Sequence, residues 1–341
     1  MRINDRRTFN VIVAGAFILV AVCIVACGGG GDGSRTLKLS LILGDNSDWY
    51  RGAERFGELL NDRSGGRWRV RIYPHAQLAG QVQRTELEML QTGVIDISME
   101  SSILLSLIEP HMSVVSLPWL FDDYSEANRI LDGPLGRELL DFLPGKGIVG
   151  LAYGANGFRQ ITNSRNPIRT PDDIRSMKVR VPGIRMYIEV FRLLGADPSS
   201  MNFGELFTAL AQGTMDGQEN PLSVILSARL YEVQKYCSVW NYSFDPVILC
   251  INKRLWNGLT PEDQNLFSQC AEEAMRFERD YVENGEQAIG DSLRALGMDV
   301  IHLDAGERGA FRKLTQQSYR TLADQIGEDL VDRFRAAAEE K

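Results

Sequence analysis

The hydrophobic positions follow two alternating periods along the chain. Leu37 to Leu43 alternates and is rich in strand formers, and Asn46-Ser47 then offers a cap before Trp49, Ala53, Phe56, Leu59 and Leu60, which share one helical face. Ser64-Gly65-Gly66 ends that helix. Arg67 to Tyr73 alternates strictly, with Trp68, Val70 and Ile72 on one face and Arg67, Arg69 and Arg71 on the other, so it reads as a half-buried strand stopped by Pro74. A helical stretch around Thr85 to Gln91 leads to Val94 to Met99, a strand of the fully buried kind. Strands alternating with helices predict an α/β layer.

A second set of units follows a helix from Ser125 and a glycine-bounded stretch between Gly145 and Gly157. Thr170-Pro171-Asp172-Asp173 has a cap, a proline at the first helical position and two acids at the positive end of the dipole, so it predicts a helix start. The strand Met177 to Val181 must stop at Pro182, which has no backbone N–H. Phe203, Leu206, Phe207 and Leu210 mark one face of a further helix, closed by Gly213. Thr260-Pro261-Glu262-Asp263 opens a segment that stays helical in pattern up to Gly297. A helix of that length is too long for one small domain and is expected to span two.

The ends change the picture of where this body resides. Arg2, Arg6 and Arg7 precede an uncharged run from Phe9 to Ala26, the build of a secretory signal. An uncleaved spanning helix has a similar length, but Ile24-Val25-Ala26-Cys27 resembles the lipobox that is cut ahead of a lipid-bearing cysteine. Residues 1–26 are therefore expected to leave as a signal peptide, with Cys27 lipidated and residues 27–35 forming a glycine-rich tether. Three arginines and one aspartate leave with the signal, so the net charge moves from −8 to −10. So acidic a body is a poor partner for nucleic acid, whose phosphates need a basic face. The roughly 300 residues that remain exceed one ordinary core and predict two domains.

Spacing alone shows no catalytic constellation: there is no GxSxG, Walker loop or HExxH. His75, His111 and His302 lie far apart and no CxxC occurs, so neither a metal nor a cofactor is expected. Cys237 and Cys250 both lie in apolar, strand-like runs; a disulfide between them and two buried free thiols are equally compatible with the sequence.

The most informative stretch holds Gly157-Phe158-Arg159-Gln160, Met177 to Pro182, Leu194 to Pro198, Phe203-Gly204-Glu205-Leu206-Phe207 and Asp216-Gly217-Gln218-Glu219-Asn220-Pro221. Together with Tyr73-Pro74, Gln77-Leu78, Leu117-Pro118-Trp119-Leu120-Phe121 and Tyr231 to Lys235, it resembles the extracytoplasmic solute receptors of tripartite ATP-independent periplasmic (TRAP) transporters, from about Leu37 to Val331. The resemblance implies a periplasmic-binding-protein-like clam shell of two α/β domains, with crossing hinge strands and a long domain-spanning helix. It divides the body into 36–156 plus 246–285 and 157–245 plus 286–335. It also implies that the protein is not an enzyme but captures a small organic carboxylate and delivers it to TRAP membrane subunits. A receptor feeding a chemosensor and an extracytoplasmic enzyme on the same scaffold are the alternatives.

The same resemblance nominates the site. Arg180 stands where the family holds a ligand carboxylate; its planar, permanently charged guanidinium suits that task, although spacing alone reads it as an exposed strand residue. Arg159 matches a second arginine on that carboxylate, Asn220 an amide that bonds the ligand, and Phe203 a ring that packs on it. Glu100 matches an acid that reads hydroxyl or amine groups, at a strand end of the kind that faces the cleft in open sheets. Tyr242, Trp240 and Trp49 fall where other members place cleft residues. Gly183 stands where sialic-acid receptors of the family carry asparagine, which weakens that ligand and leaves dicarboxylates, oxo and hydroxy acids, aromatic acids and sugar acids open.

Overall fold

The computed structural model describes residues 34–340; the expected signal peptide, Cys27 and most of the tether lie outside them. From Thr36 onward the chain forms one compact unit. Its strands are β1 (Arg35–Ser40), β2 (Trp68–Tyr73), β3 (Ile97–Ser101), β4 (Ile148–Asn163), β5 (Lys178–Val181), β6 (Asp197–Ser200), β7 (Gly217–Pro221), β8 (Tyr236–Val239), β9 (Phe244–Asn252) and β10 (Asp299–His302). The helices that matter below are α1 (Asp48–Arg63), α2 (Gln83–Thr92), α3 (Ser102–Leu105), α4 (Tyr124–Leu131), α5 (Arg185–Leu193), α6 (Phe203–Ala211), α7 (Leu222–Ser227), α8 (Pro261–Ala295), α9 (Ala305–Thr315), α10 (Ser318–Ile326) and α11 (Glu328–Glu339).

Strand order runs β2-β1-β3-β9-β4-β7-β5-β6, with β8 on β4 and β10 on β8. The 16-residue β4 joins two lobes: Ile148 to Phe158 pairs antiparallel with β9, whereas Arg159 to Asn163 pairs with β7, and Ile161 to Asn163 also with β8. Two register shifts, at Gly150/Ala152 and Ala155/Gly157, interrupt the β9 ladder. Such bulges bend a strand and sharpen its twist; the second adjoins the crossing between the lobes. This is the two-lobed α/β fold with shared strands that the family resemblance implies.

The long helix forms as expected. Thr260 accepts from the Asp263 N–H at 3.1 Å, Pro261 occupies the first turn, and α8 then runs 35 residues without a break. Its Phe267, Cys270, Ala271, Ala274 and Met275 pack with α1 and β9 in the first lobe, and Leu293 packs with α6 and β10 in the second. The helix expected at Thr170 is instead a single 3-10 turn, Pro171–Ile174. The acid Asp173 accepts from Thr170 N at 2.7 Å, but Ser176 takes a positive φ and the Lys178 N–H donates to Asp216 at 2.8 Å. The chain is thereby drawn into the sheet one turn after it starts to coil.

The C-terminal helices contact both sides. α10 packs on Pro110–Ser116 and on α5, and α11 packs on Pro110–Ser116 and on α4. Cys237, Cys250 and Cys270 are free and buried. Cys250 pairs across from Gly150 and Cys237 from Thr162; that separation along β4 is roughly 40 Å at ~3.3 Å per residue, far beyond a disulfide. The strand-like runs hide this, because the two cysteines join opposite ends of one long partner. Among the described residues no helix is long and apolar enough to cross a membrane.

Candidate functional site

The C-terminal ends of β1, β3, β5, β6 and β7 converge on the gap between the lobes, where open α/β sheets bind their ligands. The gap holds about 390 Å³ of empty space, part of it open to solvent. Trp49 from α1, Gln83 from α2 and Phe203 from α6 line it, each in the first turn of its helix. Three helix N-termini thus border one cavity, and their partial positive charge favours an anion there.

Arg180 and Arg159 both line this cavity and are almost fully buried, yet their surroundings differ. Arg159 is saturated with acid. Its Nε and Nη2 grip the Glu219 carboxylate, Nη1 donates to Asp245 Oδ2 at 2.7 Å, and Nη2 also reaches Asn220 Oδ1 at 3.1 Å. Burial alone would depress the guanidinium, but Glu219 and Asp245 outweigh it and hold the pKa well above the ordinary arginine value. Arg180 has no such partner: among the described residues it meets no carboxylate at ion-pair distance. Its Nε and Nη2 donate to the Met201 carbonyl at 3.1 and 2.7 Å, which orients the group at the end of β6, and Nη1 makes no protein hydrogen bond. Burial pulls its pKa down to about 10, with Glu219 opposing and Arg159 adding to the shift. A buried cation without a counter-ion is expensive, and an incoming anion removes the penalty.

The surrounding polar groups form one network across the lobes. Asp245 Oδ2 accepts from Asn156 Nδ2 at 2.8 Å, its Oδ1 accepts from Ser101 at 2.5 Å, and Asn156 Oδ1 accepts from Trp49 Nε1 at 3.1 Å. Asn220 donates to Gln218 at 2.5 Å. Burial raises the Asp245 pKa, against the opposing pull of Arg159, Ser101 and Asn156.

Of the eight residues nominated from sequence, Arg180, Arg159, Asn220, Phe203 and Trp49 line the cavity together. The other three do not, and their assignments are corrected. Glu100 is turned by strand alternation to the far face of β3, where burial and the neighbouring Glu86 push its pKa well up; the next residue, Ser101, takes the cleft side. Tyr242 stands behind the site, its hydroxyl donating to Glu219 at 2.7 Å. Trp240 is a core residue, packed edge-on against Phe311 and Trp119 at 5.2 and 6.2 Å between centroids. Sequence reasoning missed Asp245, Glu219, Asn156 and Ser101. The signal for Asp245 was available, since it is the one charge in the otherwise apolar run Phe244 to Ile251.

Fold and cleft together define a two-lobed solute-binding protein. The chain belongs to bacterial extracellular solute-binding protein family 7, whose model matches residues 39–325; this is the receptor family of TRAP transporters. It is 32% identical over 301 residues to the 2,3-diketo-L-gulonate-binding periplasmic protein YiaO of Escherichia coli, covering 88% of this chain and 87% of that one. It is 31% identical to the C4-dicarboxylate-binding periplasmic protein DctP of Rhodobacter capsulatus, over 89% and 91% of the two chains. A TRAP periplasmic solute-binding protein from Ralstonia eutropha H16, solved with bound (S)-2-acetolactate, superimposes with a TM-score of 0.86 at 37% identity, covering 90% of this chain and 99% of that one. The protein is thus an extracytoplasmic binding protein and not an enzyme.

Proposed function

We propose that the cleft captures a small organic carboxylate with Arg180 as its anchor and hands it to the membrane subunits of a TRAP transporter. The observation that carries this reading is the buried Arg180 guanidinium, which lines the cavity and, among the described residues, meets no carboxylate at ion-pair distance. Arg159, its charge met by Glu219 and Asp245, lines the cavity beside it, and Asn220 and Asn156 supply amide donors. Trp49 and Phe203 pack on the ligand body. The body closes as two units, 36–156 plus 246–285 against 157–245 plus 286–335. YiaO, named for a sugar-acid-derived ligand, and the acetolactate-bound relative support a carboxylate as the class of cargo. A lipid on Cys27 tethers the body to the membrane, which keeps the receptor near its transporter.

Calorimetry with a panel of organic acids tests the anchor. Micromolar binding corresponds to about 8 kcal/mol, and losing the partner of a buried charge costs roughly 2–5 kcal/mol. Arg180→Ala is therefore expected to weaken the tightest acid by at least about tenfold to a hundredfold. Unchanged affinity would overturn the assignment. Cys27→Ser should move the protein from the membrane to the soluble fraction, and retention on the membrane would reject the tether.

A further inference from the structure

Arg67, Arg69 and Arg71 alternate with Trp68, Val70 and Ile72 along the outermost strand of the sheet. The three apolar side chains pack on the first-lobe core, whereas the three arginines are exposed on the opposite face. On the neighbouring strand β1, Leu37 and Leu39 face the same core, and Lys38 between them is exposed on the side of the arginines. Leu41 N donates to the Tyr73 carbonyl at 3.2 Å, which brings the carboxyl ends of β1 and β2 together, so the two strands run parallel. Alternate residues of a strand lie about 6.6 Å apart and adjacent strands about 4.8 Å apart. The rim of the first lobe thus carries a flat row of four cations, on a chain whose net charge is −8.

From this placement we infer that the row seats the first lobe on an anionic bilayer surface, through the phosphate groups of its lipids. The choice of a bilayer rests on the tether proposed above. Cys27 lies nine residues before Thr36, where the compact body begins. A lipid there stays within about 30 Å of the amino end of β1, and β2 is the next strand. So short a link keeps the row at high effective concentration near the headgroups, and weak attraction suffices. Guanidinium groups grip phosphate with two parallel hydrogen bonds. Each basic side chain at an anionic surface adds to the attraction, while the acidic remainder of the body is screened beyond about 10 Å.

Edge protection does not account for the row. Charged side chains on an outer strand block pairing with another sheet, but Lys38 belongs to the inner strand and guards no edge. Arg67 donates to both Asp263 oxygens at 3.3 and 2.9 Å, and its side chain is still 52% exposed. Arg71 lies over the Tyr73 ring at 5.1 Å. Because the row follows β2, it sets the strand axis parallel to the bilayer. The cleft at the carboxyl ends of the strands then opens sideways, close to the membrane, instead of away from it.

The test is co-sedimentation of the chain from residue 27 onward, made with Cys27→Ser so that it carries no lipid. The probes are vesicles of phosphatidylglycerol mixed with phosphatidylcholine, and of phosphatidylcholine alone. Binding to the anionic vesicles is expected at about 50 mM salt and release at about 500 mM, with no binding to the neutral ones. Arg69→Gln with Arg71→Gln should lower the partition at least about tenfold, and Lys38→Gln, on the other strand, about fivefold. Arg175→Gln with Arg192→Gln removes two exposed charges from the second lobe and should change it less than about twofold. Melting temperatures of all variants check that folding is intact. Equal binding to the two vesicle types, or equal loss in the two double variants, would overturn the inference. So would a dimer that forms in place of vesicle binding and is lost in Arg69→Gln with Arg71→Gln, which would assign the row to a second copy of the chain. Mass spectrometry of the full chain recovered from cells reads the tether separately: an unlipidated Cys27 with vesicle binding intact would reject the anchor and leave the row standing.

Discussion

Glu278 on the long helix accepts a hydrogen bond from the backbone N–H of Ala155 at 2.8 Å, inside the bulge of the strand that both lobes share. The carboxyl is wholly buried, and its other oxygen has no partner. Burial raises its pKa well above the carboxylate range, with Asp48 adding to the rise and the Ala155 N–H opposing it. A neutral amide meets the same demand. Glu278→Gln should keep ligand affinity within about twofold and match or exceed the wild type in stability at pH 8. Glu278→Leu should lose affinity, because it leaves the Ala155 N–H unpaired beside Asn156. Paired calorimetry and denaturation of the two variants check this, and equal affinities in Gln and Leu would contradict a positioning role.

The two cleft arginines should separate in a stability measurement. Arg159→Ala leaves Glu219 and Asp245 buried without their cation, and is expected to cost about 3–5 kcal/mol. Arg180→Ala removes a buried charge that, among the described residues, has no carboxylate at ion-pair distance, so stability should hold or rise. Chemical denaturation of both, followed by circular dichroism, reads the contrast. Equal destabilisation would mean that Arg180 has a structural partner after all.

Acid pH should stabilise the first lobe. Burial pushes Glu86 up to about 7, while its bond to Ser40 pulls the other way. A carboxyl whose folded pKa lies above the unfolded value contributes stability below about pH 4.5 and loses it as pH rises through 7. The loss is on the order of 3 kcal/mol. Melting temperature should therefore fall between pH 5 and 8 in the wild type and less steeply in Glu86→Gln. Parallel profiles would show that other groups dominate.

Gly204 limits how closely the lobes approach. A Cβ at this position would meet the Gln81 carbonyl oxygen and Cβ, each at 3.2 Å, across the gap. Gly204→Val should leave the melting temperature of the empty protein nearly unchanged yet weaken binding at least about tenfold, a penalty typical of overpacking. Small-angle scattering should show compaction on ligand addition in the wild type and not in the variant.

Cys237, Cys250 and Cys270 should all be alkylated in denatured, unreduced protein, and none should react rapidly in the folded form, since all three are buried. Peptide mapping by mass spectrometry identifies each; a linked pair would contradict the geometry.

Much of the architecture was legible because its signals are local. The Thr260 cap and the proline after it mark the start of α8, and Pro182 ends β5 at its carboxyl side. Parity was harder. Glu100 and Ser101 differ by one position, and only the pairing of β3 with β9 decides which of them faces the cleft. Trp240 misled for another reason: its indole looks like a cleft group, but Gln160 accepts from the Trp240 and Asn241 N–H groups at 2.9 and 3.0 Å and turns the chain inward. Asp245 and Glu219 were overlooked because their role exists only once β7 and β9 flank Arg159, more than 50 residues from either acid's own neighbourhood.

The crossing made by β4 has a mechanical consequence. The link between the lobes is not a slack connector, since the same backbone is laddered into both halves of the sheet. A strand twisted in this way resists being wrung further, so β4 ties the geometry of the two sheets to each other more tightly than a loop could.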